Sequence, residues 1–302
     1  MPDFDPAARS LDCRGRRLSL DQPRIAGIIN VTPDSFSDGG EHADAASAIA
    51  HGLMLAEQGA DLLDVGGEST RPGAQPVSTE DELRRVIPVI EALAARCTLP
   101  IAIDTSKPEV MRAAVAAGAG LINDVHALRR PGALEAAAEL GVPVCLMHMQ
   151  GEPGSMQADP RYDDVVGEVH RFLTDRVFAC ELAGIQRGRV LIDPGFGFGK
   201  TLAHNLALLG ALERFRGLGA GLLVGLSRKT MIGMLTGRDD PRARAVGSAA
   251  AALVAAQRGA DIVRVHDVAA TRDALRVGLA APPVAAAAAA VKAKTPRWGD
   301  DD

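Results

Sequence analysis

Polar side chains recur in this sequence at or near the last position of short apolar runs, where a buried strand would open into a loop. These positions are Asn30, Asp64, Asp104, Asn123, Asp124, His148, Asp193, Ser227, Arg264 and His266. A single residue of this kind is usually a turn former or a helix cap, as Asp104 would be before Pro108. So many in one chain indicate a shared site.

The polar residues divide into two chemical groups. Asp104, Asn123 and Asp193 offer carboxylate and amide hydrogen bonds, whereas Lys229, Arg264 and His266 offer donors with positive charge. We therefore expect carboxylates and amides on one arc of the site and cations on another. That division fits a ligand with a hydrogen-bonding heterocycle at one end and an anion at the other.

The two strand-end histidines receive different interpretations. A lone histidine is more often a satisfied core residue than a ligand-binding group. His266 stands beside Arg264 on the same run and is placed in the site. His148 has no charged residue beside it on its own run, and we assign it a structural role.

The glycine-dense stretch 191–200 resembles a nucleotide-binding loop only superficially. A Walker loop needs a glycine where Pro194 stands, and the dinucleotide fingerprint needs one where Lys200 stands. What remains is Asp193 at a strand end with a flexible loop behind it. The alternative is a turn that is rich in glycine for backbone reasons alone.

Eight repeats of a strand pattern followed by a helix pattern must position these residues. The strands are predicted at 25–30, 62–65, 101–104, 121–124, 142–148, 190–193, 222–227 and 262–266, each followed by a helical segment. Runs that are apolar throughout indicate strands covered on both faces, as in parallel sheets. Eight such units in about 250 residues predict a single α/β (β/α)₈ TIM barrel, whose chemistry lies at the C-terminal ends of the strands.

Two loops of this barrel are long and rich in glycine, proline and polar residues. They follow strands 1 and 2, at 31–40 and 66–73. That composition is typical of mobile lids over a site, although plain surface loops are the alternative.

Composition excludes several classes of protein. A net charge of -5 argues against a positively charged surface that binds nucleic acid. No stretch has the length and apolar character of a signal segment or a membrane segment. The four cysteines are widely separated, as in a reduced cytoplasmic protein.

We predict a leader at 1–20, a barrel at 21–280 and a disordered, alanine-rich and proline-rich tail at 281–302. The apolar helix at 244–256 needs a cover, from a partner subunit or from this chain.

Seven motifs in order resemble those of bacterial dihydropteroate synthases, which are pterin-binding TIM-barrel enzymes. They lie at 30–40, 66–73, 103–107, 122–124, 193–200, 227–229 and 264–267. The resemblance implies a homodimeric transferase of folate biosynthesis. It would condense 6-hydroxymethyl-7,8-dihydropterin diphosphate with p-aminobenzoate, giving 7,8-dihydropteroate and pyrophosphate.

The resemblance also implies a role for each site residue. The pterin ring would be held by Asp104, Asn123, Asp193 and Lys229, and the diphosphate by Asn30, Arg264 and His266, with Mg²⁺ bound to Asn30. The p-aminobenzoate ring, for which sulfonamides would compete, would be surrounded by Phe36, Thr70, Pro72, Phe198 and Ser227, with Asp34 and Arg71 as lid contacts.

The strand ends contain no Ser-His or Cys-His pair of the kind that activates a nucleophile. An arylamine attacks without prior deprotonation, so covalent catalysis is not needed. We predict a dissociative, SN1-like substitution in which Mg²⁺, Arg264 and His266 stabilise the leaving diphosphate and Lys229 and Asn30 assist. The alternatives are a pterin-binding methyltransferase domain of the same barrel type and a non-catalytic pterin-binding paralogue.

Overall fold

The computed structural model describes residues 9–31, 40–69, 75–152 and 154–280, with only the backbone of 40–44. Eight parallel strands within these ranges close into a barrel, and a two-stranded antiparallel hairpin precedes them. The hairpin strands are β1 (Ser10–Cys13) and β2 (Arg16–Ser19). The barrel strands are β3 (Arg24–Asn30), β4 (Leu62–Gly66), β5 (Ile101–Asp104), β6 (Leu121–Asp124), β7 (Val144–Met147), β8 (Val190–Asp193), β9 (Gly221–Val224) and β10 (Ile262–Val265).

Helices follow the strands and surround the barrel. They are α1 (Gly40–Glu57), α2 (Thr79–Arg96), α3 (Pro108–Ala117), α4 (Ala133–Leu140), α5 (Val165–Leu182), α6 (Leu202–Gly210), α7 (Thr230–Thr236), α8 (Ala245–Gln257) and α9 (Val268–Ala280). The predicted (β/α)₈ barrel is confirmed. Among the described helices, none combines the length and apolar character that crossing a bilayer requires.

Three strands end earlier than the sequence predicts. Strand β7 ends at Met147, β9 at Val224 and β10 at Val265. His148, Ser227 and His266 therefore lie in the loops just beyond the strands. The helical sequence after β9 is also divided, because Gly237 ends α7 with φ of +66° and a 3₁₀ turn follows at Pro241–Arg244.

The inside of the barrel is built in layers, because side chains two residues apart point to the same side of a strand. The lower layer is apolar and consists of Ala26, Leu62, Ala102, Leu121, Cys145, Leu191, Leu223 and Ile262. Two residues further along their strands stand the polar side chains Asp64, Asp104, Asn123, Asp193 and Arg264. The site is therefore the layer directly above an apolar floor.

The β1–β2 hairpin closes the barrel beneath this floor. Leu11, Cys13 and Leu18 are buried in the same apolar cluster as the lower layer. Arg16 donates hydrogen bonds to the carbonyl oxygens of Leu99 at 2.8 Å and Ala94 at 2.7 Å. The predicted leader at 1–20 includes this hairpin, which packs against the bottom of the barrel. The predicted tail lies outside the described residues.

Candidate active site

Arg264 lies at the centre of the polar layer. Its Nε donates to Oδ2 of Asp64, and its Nη2 donates to Oδ2 of Asp104 at 2.8 Å. Asn123 donates from Nδ2 to the same Asp64 oxygen at 3.3 Å. The predicted separation of cations and carboxylates into two arcs is therefore wrong for Arg264. Inward-pointing side chains of a closed barrel meet in the middle, which the order of motifs along the chain does not show.

Burial sets the protonation of this cluster. It raises the pKa of Asp104 to about 7, against the opposing effect of Arg264 and with a further rise from the neighbouring carboxylates. Burial alone would lower the pKa of Arg264, but Asp64 and Asp104 together raise it above its usual value. Oδ1 of Asp64 is buried without a hydrogen-bond partner in the described part of the chain. The sequence analysis gave Asp64 no role, although its place two residues after the floor residue Leu62 could have identified it.

Asp104 is available to the site because it does not cap the helix that follows. The N-cap of α3 is Lys107, which makes no side-chain cap hydrogen bond, and Pro108 occupies the first turn. Lys107 instead donates to Glu82 Oε2 at 2.5 Å and to Glu68. This lysine, which sequence reasoning missed, holds the loop after β4 against helix α2.

Asp193 and Lys229 form a second part of the mouth. Asp193 is 5% exposed, and its Oδ1 accepts a hydrogen bond from the backbone N–H of Gly195 at 2.7 Å. Burial raises the pKa of Asp193, and Lys229 opposes that rise. Burial likewise lowers the pKa of Lys229 to about 8, against the effect of Asp193. Lys229 donates to the carbonyl oxygen of Phe196.

The turn that carries Ser227 and Lys229 depends on a left-handed residue between them. Arg228 has φ of +58° and pairs with Asp267 through contacts of 3.0 and 2.5 Å. Ser248 Oγ accepts from the Arg228 N–H at 2.9 Å, so the turn is fixed from helix α8 as well. The backbone therefore reverses at Arg228 in a conformation that L-residues seldom adopt.

Ser227 and His266 are direct neighbours. Nδ1 of His266 lies 3.0 Å from Ser227 Oγ, and the His266 N–H donates to the same oxygen at 3.1 Å. The sequence analysis assigned these two residues to different substrates, Ser227 to p-aminobenzoate and His266 to the diphosphate of the dihydropterin. Their contact brings the predicted p-aminobenzoate group next to the predicted diphosphate group.

Phe198 belongs to an apolar wall of the mouth. Its ring packs against a cluster of Val125, Met147, Met149 and Met156. The Lys229 ammonium stands 4.5 Å from the centroid of the Phe198 ring. The methionines were missed in the sequence, although Met147 occupies the same register on β7 as the polar residues of other strands.

Asn30 ends strand β3 at the rim, paired in register with Gly66. The described residues contain no group of three or more His, Cys, Asp or Glu side chains that could hold a metal ion. Magnesium commonly takes few protein ligands together with substrate phosphates and waters, so one amide at the rim fits it. The other predicted loop residues, Phe36, Thr70, Pro72, Asp34 and Arg71, lie outside the described residues.

Comparisons with known proteins agree on one family. The model for pterin-binding enzymes matches residues 26–266. The chain is 54% identical to the dihydropteroate synthase of Escherichia coli strain K12 over 267 residues, which cover 88% of this chain and 94% of that protein. The chain belongs to the dihydropteroate synthase family. The resemblance recognised in the seven motifs is confirmed.

Solved dihydropteroate synthases share the whole barrel. The Xanthomonas albilineans dihydropteroate synthase with 4-aminobenzoic acid matches with a TM-score of 0.86 and 64% identity, covering 91% of this chain and 100% of that chain. The same enzyme in complex with 7,8-dihydropteroate matches with a TM-score of 0.82 and 61% identity over the same shares of the two chains. As a member of the dihydropteroate synthase family, this chain is a transferase that forms dihydropteroate. The similarity to the synthases favours this activity over that of a methyltransferase domain.

Proposed function

We propose that this chain forms 7,8-dihydropteroate by a dissociative substitution in which the polar layer binds the pterin and the cationic residues receive the diphosphate. The observation that carries the proposal is the buried cluster of Arg264 with Asp64, Asp104 and Asn123, directly above the apolar floor. This cluster offers hydrogen-bond donors and acceptors to a flat heterocycle that binds in the mouth of the barrel above the floor. Asp193 and Lys229 extend the same surface.

The pterin ring would be bound by Asp193, Asn123, Asp104 and Lys229. The 2-amino group and N3–H of a pterin are adjacent donors, which one carboxylate can accept as a bidentate pair. Asp193 is suited to that task because its backbone contact with Gly195 fixes the orientation of the carboxylate. Lys229 would donate toward the ring carbonyl and N5, and Asn123 would complete the ring's hydrogen bonds.

The diphosphate would lie near Arg264, His266 and Asn30. Arginine suits bidentate binding of phosphate oxygens, and His266 donates alongside it. Bound Mg²⁺, held by Asn30 and the substrate, would neutralise charge on the phosphate oxygens. Since Arg264 already contacts Asp64 and Asp104, the incoming anion would share its guanidinium with these carboxylates.

The chemical step needs no covalent intermediate with the protein. The bond from the pterin methylene to the diphosphate oxygen breaks, and the oxygen leaves with the electron pair. The arylamine nitrogen then forms the new bond to the methylene and loses a proton. Arg264 and His266 stabilise the charge that develops on the leaving group, which is where preorganised donors contribute most.

The p-aminobenzoate would bind between Phe198 and Ser227, with Phe36, Thr70 and Pro72 supplied by the two loops and Asp34 and Arg71 as lid contacts. The Phe198 ring is already backed by methionines and by Lys229. Sulfonamides, which resemble p-aminobenzoate in shape and charge, would compete for this position.

A product assay tests the proposal. Purified protein with Mg²⁺, the dihydropterin diphosphate and labelled p-aminobenzoate should yield labelled dihydropteroate and pyrophosphate, and a sulfonamide should reduce the yield. Absence of product under conditions where a control synthase is active would contradict the proposed reaction and would favour a non-catalytic pterin-binding paralogue.

We also propose a homodimer through helices α7, α8 and α9. Met234 and Leu235 on α7, Val246 on α8 and Val277 on α9 are exposed apolar side chains, with Val246 82% exposed. Light scattering should give twice the chain mass, and Val246→Glu should give the monomer mass. A monomeric wild type would contradict the proposal that this surface forms a dimer.

The four free thiols, three of them buried, suit a reduced cytoplasmic location.

A further inference from the structure

Lys200 is a buried lysine to which the proposed reaction gives no task. It ends the glycine-rich loop 194–199 and is only 3% exposed. Its Nζ lies 2.9 Å from the carbonyl oxygens of Gly195 and Phe198 and 2.9 Å from Nδ1 of His148. The Lys200 amino group therefore has three hydrogen-bond partners, and burial lowers its pKa well below the usual value of a lysine. The loop is folded around this amino group.

Three of the six residues of this loop are glycines, and Phe196 between them is fully buried in the core. Gly195, Gly197 and Gly199 have φ of +70°, +77° and +60°, and glycines supply neither side-chain packing nor a strong backbone preference. The outer side of the loop is held by Asn205, which accepts from the Gly197 N–H at 2.8 Å, and by Tyr162, which donates to the Gly199 carbonyl at 2.9 Å. Lys200 holds the loop through Gly195 and Phe198, in addition to the contact between Asp193 and the Gly195 N–H.

Two parts of the mouth are attached to the same loop. The Phe198 ring lies beneath the Lys229 ammonium, and the Phe196 carbonyl accepts a hydrogen bond from Lys229. A displacement of the loop would therefore move the aromatic wall relative to Lys229. His148 supports the arrangement as an acceptor, since burial, and then Lys200, lower its pKa to about 2 and keep the imidazole neutral.

We propose that Lys200 is a positioning residue for the p-aminobenzoate end of the site, which fixes the height of the Phe198 ring through its contacts with Gly195, Phe198 and His148. The inference rests on the proposed role of Phe198 as a wall of that pocket. It also gives His148 a purpose beyond filling the core, as the third hydrogen-bond partner of the Lys200 amino group.

Lys200→Met tests the inference, because it keeps the approximate length of the side chain and removes the amino group with its three contacts. We expect KM for p-aminobenzoate to rise about tenfold or more, with kcat reduced less than about threefold, as for a displaced binding group. Leu191→Ala is the matched control, since Leu191 is buried in the floor on the same strand, β8. Both variants should melt at lower temperature, but only Lys200→Met should change KM.

A second pair of variants leaves the lysine in place. His148→Gln retains an acceptor and should keep KM near that of the wild type, whereas His148→Leu removes the acceptor and should raise KM. An unchanged KM in Lys200→Met, or an equal rise in Leu191→Ala, overturns the inference. If Lys200→Met does not fold, equal KM values in the two His148 variants overturn it.

Phe198→Ala separates this inference from the proposed pocket. A raised KM in Phe198→Ala beside an unchanged KM in Lys200→Met would contradict only the role of Lys200. An unchanged KM in Phe198→Ala would contradict the aromatic wall itself, and the inference with it.

Discussion

Nη2 of Arg264 lies 2.8 Å from Oδ2 of Asp104, so an ion pair crosses the barrel from strand β10 to strand β5. The residue proposed to bind the diphosphate is thus bound to a residue proposed to bind the pterin ring. A diphosphate that binds Arg264 would compete with Asp104 for the guanidinium, and a pterin that binds Asp104 would compete with Arg264 for the carboxylate. The two halves of one substrate are in this way connected through a single guanidinium.

Arg264→Ala should remove the preference for the pterin diphosphate over the pterin alcohol. It leaves the Asp64 and Asp104 carboxylates without their buried cation, which should also cost about 3 kcal/mol of unfolding free energy. Calorimetric titration of both ligands measures the preference. Arg112→Ala, at an exposed ion pair with Glu139, is the control. A variant that still prefers the diphosphate would contradict the anion site.

Asp193→Asn should weaken binding of a pterin by about 1.5 to 3 kcal/mol, because a charge-assisted pair of hydrogen bonds becomes a weaker, mismatched one. Calorimetry with a pterin that lacks the diphosphate isolates this contribution. The exposed Asp175→Asn serves as the control for the same chemical change. Equal pterin affinity in Asp193→Asn and the wild type would rule out the proposed contact.

Activity should rise with pH through about 7, because burial raises the pKa of Asp104 to that value. Below this pH the Asp104 carboxyl is protonated, so it loses the negative charge that pairs with Arg264 and accepts hydrogen bonds from the pterin less strongly. A pH profile of kcat/KM for the pterin diphosphate reports the free enzyme. Asp104→Asn should lower the activity and flatten the acid side of this pH profile. If the acid side is unchanged in the variant, the titration belongs to a group other than Asp104.

Activity should fall again as pH rises through about 8, because burial lowers the pKa of Lys229 to that value. Above it the side chain loses the charge that it presents to the ring carbonyl. Lys229→Arg keeps a positive charge and should move the alkaline limb upward, even if its activity is reduced. Because Lys229 and Asp193 interact, the measured values belong to the pair. An alkaline limb that stays in place in Lys229→Arg contradicts the assignment.

Arg228→Gly should retain more activity than Arg228→Ala. Both lose the ion pair with Asp267, but glycine adopts the φ of +58° without strain, whereas alanine pays roughly 1 kcal/mol or more. The comparison of kcat/KM and melting temperature in the two variants measures the value of the left-handed turn. Equal behaviour would show that the turn does not depend on this backbone conformation.

The sequence by itself determined which segments form the eight barrel strands, the order of the units and most of the polar residues that end the strands. Apolar runs such as Leu121–Asp124 specify a parallel strand locally, because both faces must be covered. The spacing of eight such runs leaves a closed barrel as the natural arrangement. The seven motifs taken in order were sufficient to recognise the family.

Only the tertiary structure decided which side chains meet. Arg264 and Asp104 are separated by 160 positions, and Lys200 contacts His148 across 52. Closure of the barrel brings such residues together, and burial then sets their charge, since the cost of removing an ion from water depends on every neighbour at once. A pattern along the chain shows that a residue is polar and stands at a strand end. It does not show whether that residue faces a ligand, as proposed for Asp193, or holds a loop in place, as proposed for Lys200.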